Sequence, residues 1–147
     1  MLFANEEFGL SGAKEYARLI GDEAARHVIA AEADLGAGPV WRIQSRVAPD
    51  AVPAVDAIRE ALKPLALEAG SNEGRGGSDL GPLRALGVPI LDLSQDATNY
   101  FDVHHTTNDT LAQIDAKTLN QVVAAYAVAA YMAASKTGDF GRVEASP

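Results

Sequence analysis

Apolar positions along this chain fall into short blocks set apart by polar, glycine-rich stretches, and the blocks follow two different spacings. Leu2, Phe3 and Ala4 read as the last residues of a buried strand. From Ser11, a residue suited to N-capping, Ala13, Tyr16, Ala17 and Ile20 share one helical face, which predicts a helix over residues 11–20. Residues 27–33 are short and apolar throughout and predict a buried strand that ends at Asp34. A glycine-rich turn at 35–39 leads to an extended stretch around 41–47.

Farther along, Val55, Ile58, Leu62 and Leu65 recur at helical spacing after Asp50, with Pro64 marking a kink or the end. Residues 70–77 read as a flexible polar loop. Asp79 is expected to cap a short helix closed by Gly87. Residues 88–93 predict another strand, and 94–110 a long polar loop holding Tyr100, Phe101 and the pair His104-His105. A final helix over 117–135 places Leu119, Val122, Val123, Tyr126 and Ala130 on one stripe. Residues 1–137 are expected to form one domain, and 138–147 a flexible tail. Strands alternating with helices indicate an α/β sheet flanked by helices, with sites at the carboxyl ends of strands. That rule selects Glu6-Glu7, Asp34 and the histidine loop.

Composition narrows the chemistry. The 147 residues suffice for one core, and 48% hydrophobic with 22% charged residues is a globular balance. A formal net charge of -8 argues against nucleic acid and anionic membrane as partners, since both need a basic face. There is no cysteine, so thiolate metal sites, disulfides and cysteine nucleophiles are excluded. Any metal must sit on His, Asp or Glu, ligands that suit Zn, Mn or Co. The longest apolar run, 122–134, is too short to span a membrane, and the start lacks a signal-peptide pattern. Its opening on an apolar strand end instead suggests an excerpt of something longer. Compartment stays open.

Two adjacent carboxylates after a strand, Glu6 and Glu7, suit a division of labour between ligating a metal and acting as general base on a water. A solvated acidic loop is the plainer reading. Asp34 suits a ligand or a turn initiator. His104-His105 suits zinc ligation or a structural pair, and His27 reads as structural.

Taken in order, Asn5-Glu6-Glu7-Phe8-Gly9-Leu10-Ser11-Gly12-Ala13, Ala31-Glu32-Ala33-Asp34-Leu35-Gly36, Gly77-Ser78-Asp79, Tyr100-Phe101-Asp102-Val103-His104-His105 and Asn108-Asp109-Thr110 resemble the co-catalytic di-zinc exopeptidases. These are peptidase family M28, which includes bacterial leucyl aminopeptidases and the plasma glutamate carboxypeptidase (carboxypeptidase Q) branch, and the likeness spans roughly residues 2–135. The resemblance implies a three-layer α/β sandwich whose mixed sheet is flanked by helices, of the zinc exopeptidase, phosphorylase/hydrolase-like kind. It implies two zinc ions, a peptide substrate and hydrolysis by metal-activated water. Glu6 would be the general base, and Glu7 and His105 would hold one zinc. Asp34 would hold the other, with Glu32 as the substitute. Ser78, Asp79 and Tyr100 would line the substrate pocket, while His104, Asp109 and Thr110 would support the ligands or be structural. Relatives are commonly secreted or periplasmic.

The family also uses a His-x-Asp motif and a bridging Asp upstream of the Glu pair, and neither has a counterpart before Glu6. The sequence therefore predicts missing N-terminal strands and a weak or inactive isolated chain, completed by an N-terminal half or assembled as a homo-oligomer. The competing expectation is a non-catalytic interaction module carrying remnants of the site.

Overall fold

A computed structural model describes residues 1–136 and 139–144. The helices are α1 (Ser11–Ile20), α2 (Val52–Leu62), α3 (Gly81–Ala85), α4 (Tyr100–Val103) and α5 (Ala116–Ser135). Three strands, β1 (Val40–Arg46), β2 (Glu68–Ala69) and β3 (Ile90–Gln95), form one sheet in the order β2-β1-β3. β1 runs parallel to β2 and antiparallel to β3, with Val40 opposite Gln95 and Arg46 opposite Ile90. The sheet is thus mixed, as expected.

Successive residues of β3 point to opposite faces, and that alternation builds the layers. Leu91 and Leu93 join Ile43, Val55, Ile58, Leu62, Val122 and Ala125 in a core under α2 and α5. Ile90 turns the other way, into a smaller cluster with Ala24, Leu80, Leu83 and Val88, against which Tyr16 and Ile20 of α1 pack. Helices therefore cover both faces. Ala125, Ala129 and Ala133 line the buried side of α5, and small side chains at every fourth position let that helix lie close to the sheet. Gln121 ties its first turns down, since its side chain accepts from the Val40 amide at 3.0 Å and donates to the Val40 carbonyl at 2.7 Å. No helix among the described residues is long and apolar enough to cross a membrane.

Several expectations need correction. Residues 2–4 are not a strand, and Leu2 is fully exposed. Residues 27–33 are not a buried strand. Only Ala30 bridges, in parallel with Ile90, through Ala30 N to Pro89 O and Leu91 N to Ala30 O, both 2.8 Å. Val28, Ala31 and Ala33 are exposed, because no described strand pairs on the outer side of this segment. β2 has no counterpart among the expected elements, since two exposed residues carry no apolar pattern. Asp79 does not cap α3; Leu80 holds that position without a side-chain bond, although Gly87 closes the turn with φ +76. The stripe on α5 is rotated, leaving Leu119, Val123 and Ala130 exposed. That helix carries no charge from Thr118 to Ser135, so periodicity could not choose its face.

The expected tail lies partly outside the described residues, at 137–138 and 145–147. Its described part packs. Phe140 is fully buried in the main core, and its carbonyl accepts from the Ala48 amide at 3.0 Å.

Candidate metal centre

Glu6 and Glu7 open a single 3-10 turn, Glu6–Phe8, held between Asn5 at φ 68 and Gly9 at φ 97. Left-handed backbone is ordinary for Gly and tolerated by Asn, whereas the φ of 60 at Leu10 is costly and needs outside support. The support is local. The Gly12 amide donates to Ala4 O at 3.0 Å, and Asn5 Nδ2 donates to Ser11 Oγ at 3.0 Å. A Cβ on Gly12 would sit 2.5 Å from Ala4 O, so glycine is what lets the turn fold back on the start of α1.

The loop after β3 delivers the histidines. The Asp96 carboxylate accepts from the Thr98 amide at 2.8 Å, and α4 ends where the His104 amide donates to Tyr100 O at 2.9 Å. The Tyr100 and His104 rings stack at 4.5 Å, and the His104 and His105 rings at 3.7 Å. His105 adopts φ 59. The loop brings His105 Nε2 to 2.5 Å from Glu7 Oε1 across the site. Ligand atoms of Glu7, His104 and His105 all lie within 4.8 Å of one another. One carboxylate oxygen and imidazole nitrogens form a donor set suited to zinc and its neighbours, so these residues fit a divalent cation.

Tyr100 shows how the remaining residues are grouped. Its phenol is pushed up first by burial and then by the charges of Asp34, Glu7, Asp109 and Glu6. All four carboxylates act on the phenol in the same direction, although Asp34 itself is outside the close ligand group. Asp34 is exposed at the mouth of a cleft of about 220 Å³ that Glu32, Ser78, Asp92 and Ser94 also line.

Glu32, the substitute for Asp34, is turned away from the histidines. Its Oε2 accepts from the Leu80 amide at 3.0 Å, and its backbone carbonyl accepts from the Tyr126 hydroxyl. A Cβ on Gly77 would lie 2.1 Å from Glu32 Oε1, so glycine makes room for the carboxylate. Burial pushes the Glu32 pKa up, the backbone donors at Asp79 and Leu80 oppose this, and the charges of Asp34 and Asp79 add to it. Asp79 is raised too, by burial and then by Asp34. His27 lies elsewhere, with its Nε2 2.7 Å from the Tyr16 hydroxyl.

Sequence reading missed Asp92 and Ser94. Asp92 accepts from the Gly76 amide at 3.2 Å and from Ser94 Oγ at 3.2 Å, shaping the cleft floor. Their signal was present as polar residues at alternate positions of an otherwise apolar strand.

Residues 1–130 match peptidase family M28. The chain belongs to peptidase family M28. A solved M28 relative, a peptidase M28 precursor from Shewanella amazonensis SB2B, is 46% identical with a TM-score of 0.88. The match covers 99% of this chain and 32% of that one. Carboxypeptidase Q of Rattus norvegicus is 30% identical over 134 residues, covering 91% of this chain and 28% of the relative. The human carboxypeptidase Q is 28% identical over the same coverage. This M28 chain thus spans just over a quarter of the length of the curated relatives it matches.

Proposed function

We propose that this M28 chain carries a large part of the site of a zinc-dependent exopeptidase, and that the Glu7–His105 contact marks one metal position. That contact carries the reading, because two potential ligands meet from distant loops with their donor atoms facing. Asp34 is the protein ligand of a second zinc. Zinc, when bound, polarises the scissile carbonyl and acidifies water near neutral pH.

The chain's own groups do the rest. Glu6 shares the 3-10 turn with Glu7 and acts as general base, taking a proton from the attacking water and handing it to the leaving amine. Burial first, and then the charges of nearby carboxylates, disfavour the phenolate, so Tyr100 keeps its proton and its hydroxyl donates to the peptide. Ser78 and Asp79, beside the Asp34 cleft, bound the substrate's far end. Asp109 holds the histidine loop in register.

Among the described residues, no second group of three ligands gathers around Asp34. On this reading the chain alone is an inactive or weak hydrolase, and a complementing polypeptide supplies further ligands. The test mixes the chain with the N-terminal portion of the Shewanella M28 precursor and follows dipeptide hydrolysis. The reading expects hydrolysis in the mixture well above that of either part alone, abolished by Glu6→Gln; a folded complex with no such gain contradicts it. Exposed Phe8, Phe101 and Leu111 favour a second reading, a non-catalytic interaction module, for which binding without hydrolysis is the expected outcome.

A further inference from the structure

We infer that His104 is a positioning residue for His105 and acts through the flat face of its ring, not through its nitrogens. The inference rests on the reading of Glu7 and His105 as ligands of one zinc. It adds how the His105 imidazole is aimed.

The backbone poses the problem. Val103 to Thr106 form a type II turn, in which His104 has φ -50 and ψ 126, His105 has φ 59, and the Thr106 amide donates to Val103 O at 2.9 Å. Glycine or asparagine ordinarily takes the place that His105 holds, because φ is positive there. Histidine at that place costs free energy, and it persists where the surroundings impose it. Hydrogen bonding does not impose it. The ring of a metal-ligating histidine is ordinarily fixed through its other nitrogen, bonded to a carboxylate or carbonyl. Among the described residues the His105 ring makes one hydrogen bond, and that is the 2.5 Å contact of Nε2, the ligating nitrogen itself, with Glu7. Both partners are more than half exposed, at 59% and 55%, so that pair holds the ring only weakly.

Ring packing supplies what hydrogen bonds do not. The His104 ring lies against His105 at 3.7 Å with an interplanar angle of 29°, and against Tyr100 at 4.5 Å and 26°. Phe101 meets it edge-on at 5.8 Å. Tyr100 is seated on backbone in turn, since a Cβ on Gly36 would lie 2.7 Å from Tyr100 Cδ2. A column therefore runs from the turn after Asp34 through Tyr100 and His104 to His105, and it limits how the last ring can rotate. The nitrogens of His104 contribute nothing to this column, because its ring has no hydrogen bond among the described residues. Nor do they converge with His105 on one ion. Imidazole lone pairs lie in the ring plane, and two nearly parallel stacked rings carry theirs side by side.

The test is a Co²⁺ titration of the full chain, read by visible absorption and by competition with a chelator. His104→Phe keeps a flat ring and removes both nitrogens, whereas His104→Leu and His104→Gln keep bulk and remove the ring. Glu7→Gln and His105→Phe report on the ligands themselves. The inference expects His104→Phe to bind close to wild type with an unchanged spectrum. His104→Leu and His104→Gln should each weaken binding by the ~10–100-fold that an orienting neighbour of a ligand is worth. In the metal-free chain, the nuclear Overhauser contact between the His105 ring and the Glu7 side chain should survive in His104→Phe and fade in the other two. Wild-type affinity in His104→Leu and His104→Gln overturns the inference, as does a loss in His104→Phe equal to theirs. If binding is still lost in Glu7→Gln and His105→Phe, the reading of those two residues stands. Failure of the wild-type chain to bind Co²⁺ overturns that reading and the inference with it.

Discussion

Nε2 of His105 lies 2.5 Å from Oε1 of Glu7, although 98 residues separate them in the chain. An exposed pair of this kind contributes about 0–1 kcal/mol, too little to hold two loops together. Each residue is instead positioned by its own surroundings, Glu7 by the turn folded against α1 and His105 by the stack on Tyr100 and His104. Substituting either should therefore leave stability within about 0.5 kcal/mol while removing metal binding. Urea unfolding of Glu7→Gln and His105→Phe checks this, and a large loss of stability in either contradicts it.

Glu32 gives a prediction with a definite sign. Its folded-state pKa is raised, chiefly by burial, so the folded chain favours the protonated form. Stability from that proton is complete below the ordinary carboxylate value and is lost as pH rises through the folded value. Glu32→Gln removes this dependence and keeps an acceptor for the Leu80 amide. The variant's stability relative to the parent should accordingly rise from about pH 4 to about pH 7. A difference that stays flat across this range in urea unfolding contradicts the assignment.

Gly38 joins the turn after Asp34 to the loop that carries the histidines. A Cβ there would lie 1.8 Å from the Asp96 carbonyl, and the Asp96 amide already bonds Pro39 O at 2.8 Å. Backbone on both sides cannot yield cheaply, so Gly38→Ala should destabilise by about 1–3 kcal/mol or more. Gly81→Ala is the contrast, because nothing lies within 4 Å of its Cβ position. That change should be neutral or stabilising by up to about 1 kcal/mol. Equal effects in thermal melts contradict the steric argument.

Phe140 lies beyond the last helix, in a segment whose polarity and glycine suggested a tail. Full burial under the main core predicts that Phe140→Ala costs about 3–5 kcal/mol, measured as a fall in urea midpoint. A surface-like loss below about 0.5 kcal/mol contradicts this placement.

What sequence could show follows from which elements carry a local pattern. α1 and α2 have apolar residues on one face only, and both were legible within a turn. α5 is apolar all round, so its existence was legible and its orientation was not. Residues 27–33 look like a buried strand because apolar density records burial without saying whether a neighbour is present. The order of Glu6-Glu7, Asp34 and His104-His105 pointed to the M28 family, yet the nearness of His104 to Glu7 was invisible, since it depends on the backbone turn at His105. Glu32 and Asp34 could not be separated by sequence two residues apart. Only the Leu80 amide and the space at Gly77 show where Glu32 points.

The central claim is that this chain presents a built metal position of the M28 type, and zinc calorimetry on the chelator-stripped chain tests it most directly. The account predicts one saturable zinc per chain, lost in both Glu7→Ala and His105→Ala. Binding that is absent, or that persists unchanged in both variants, would contradict it.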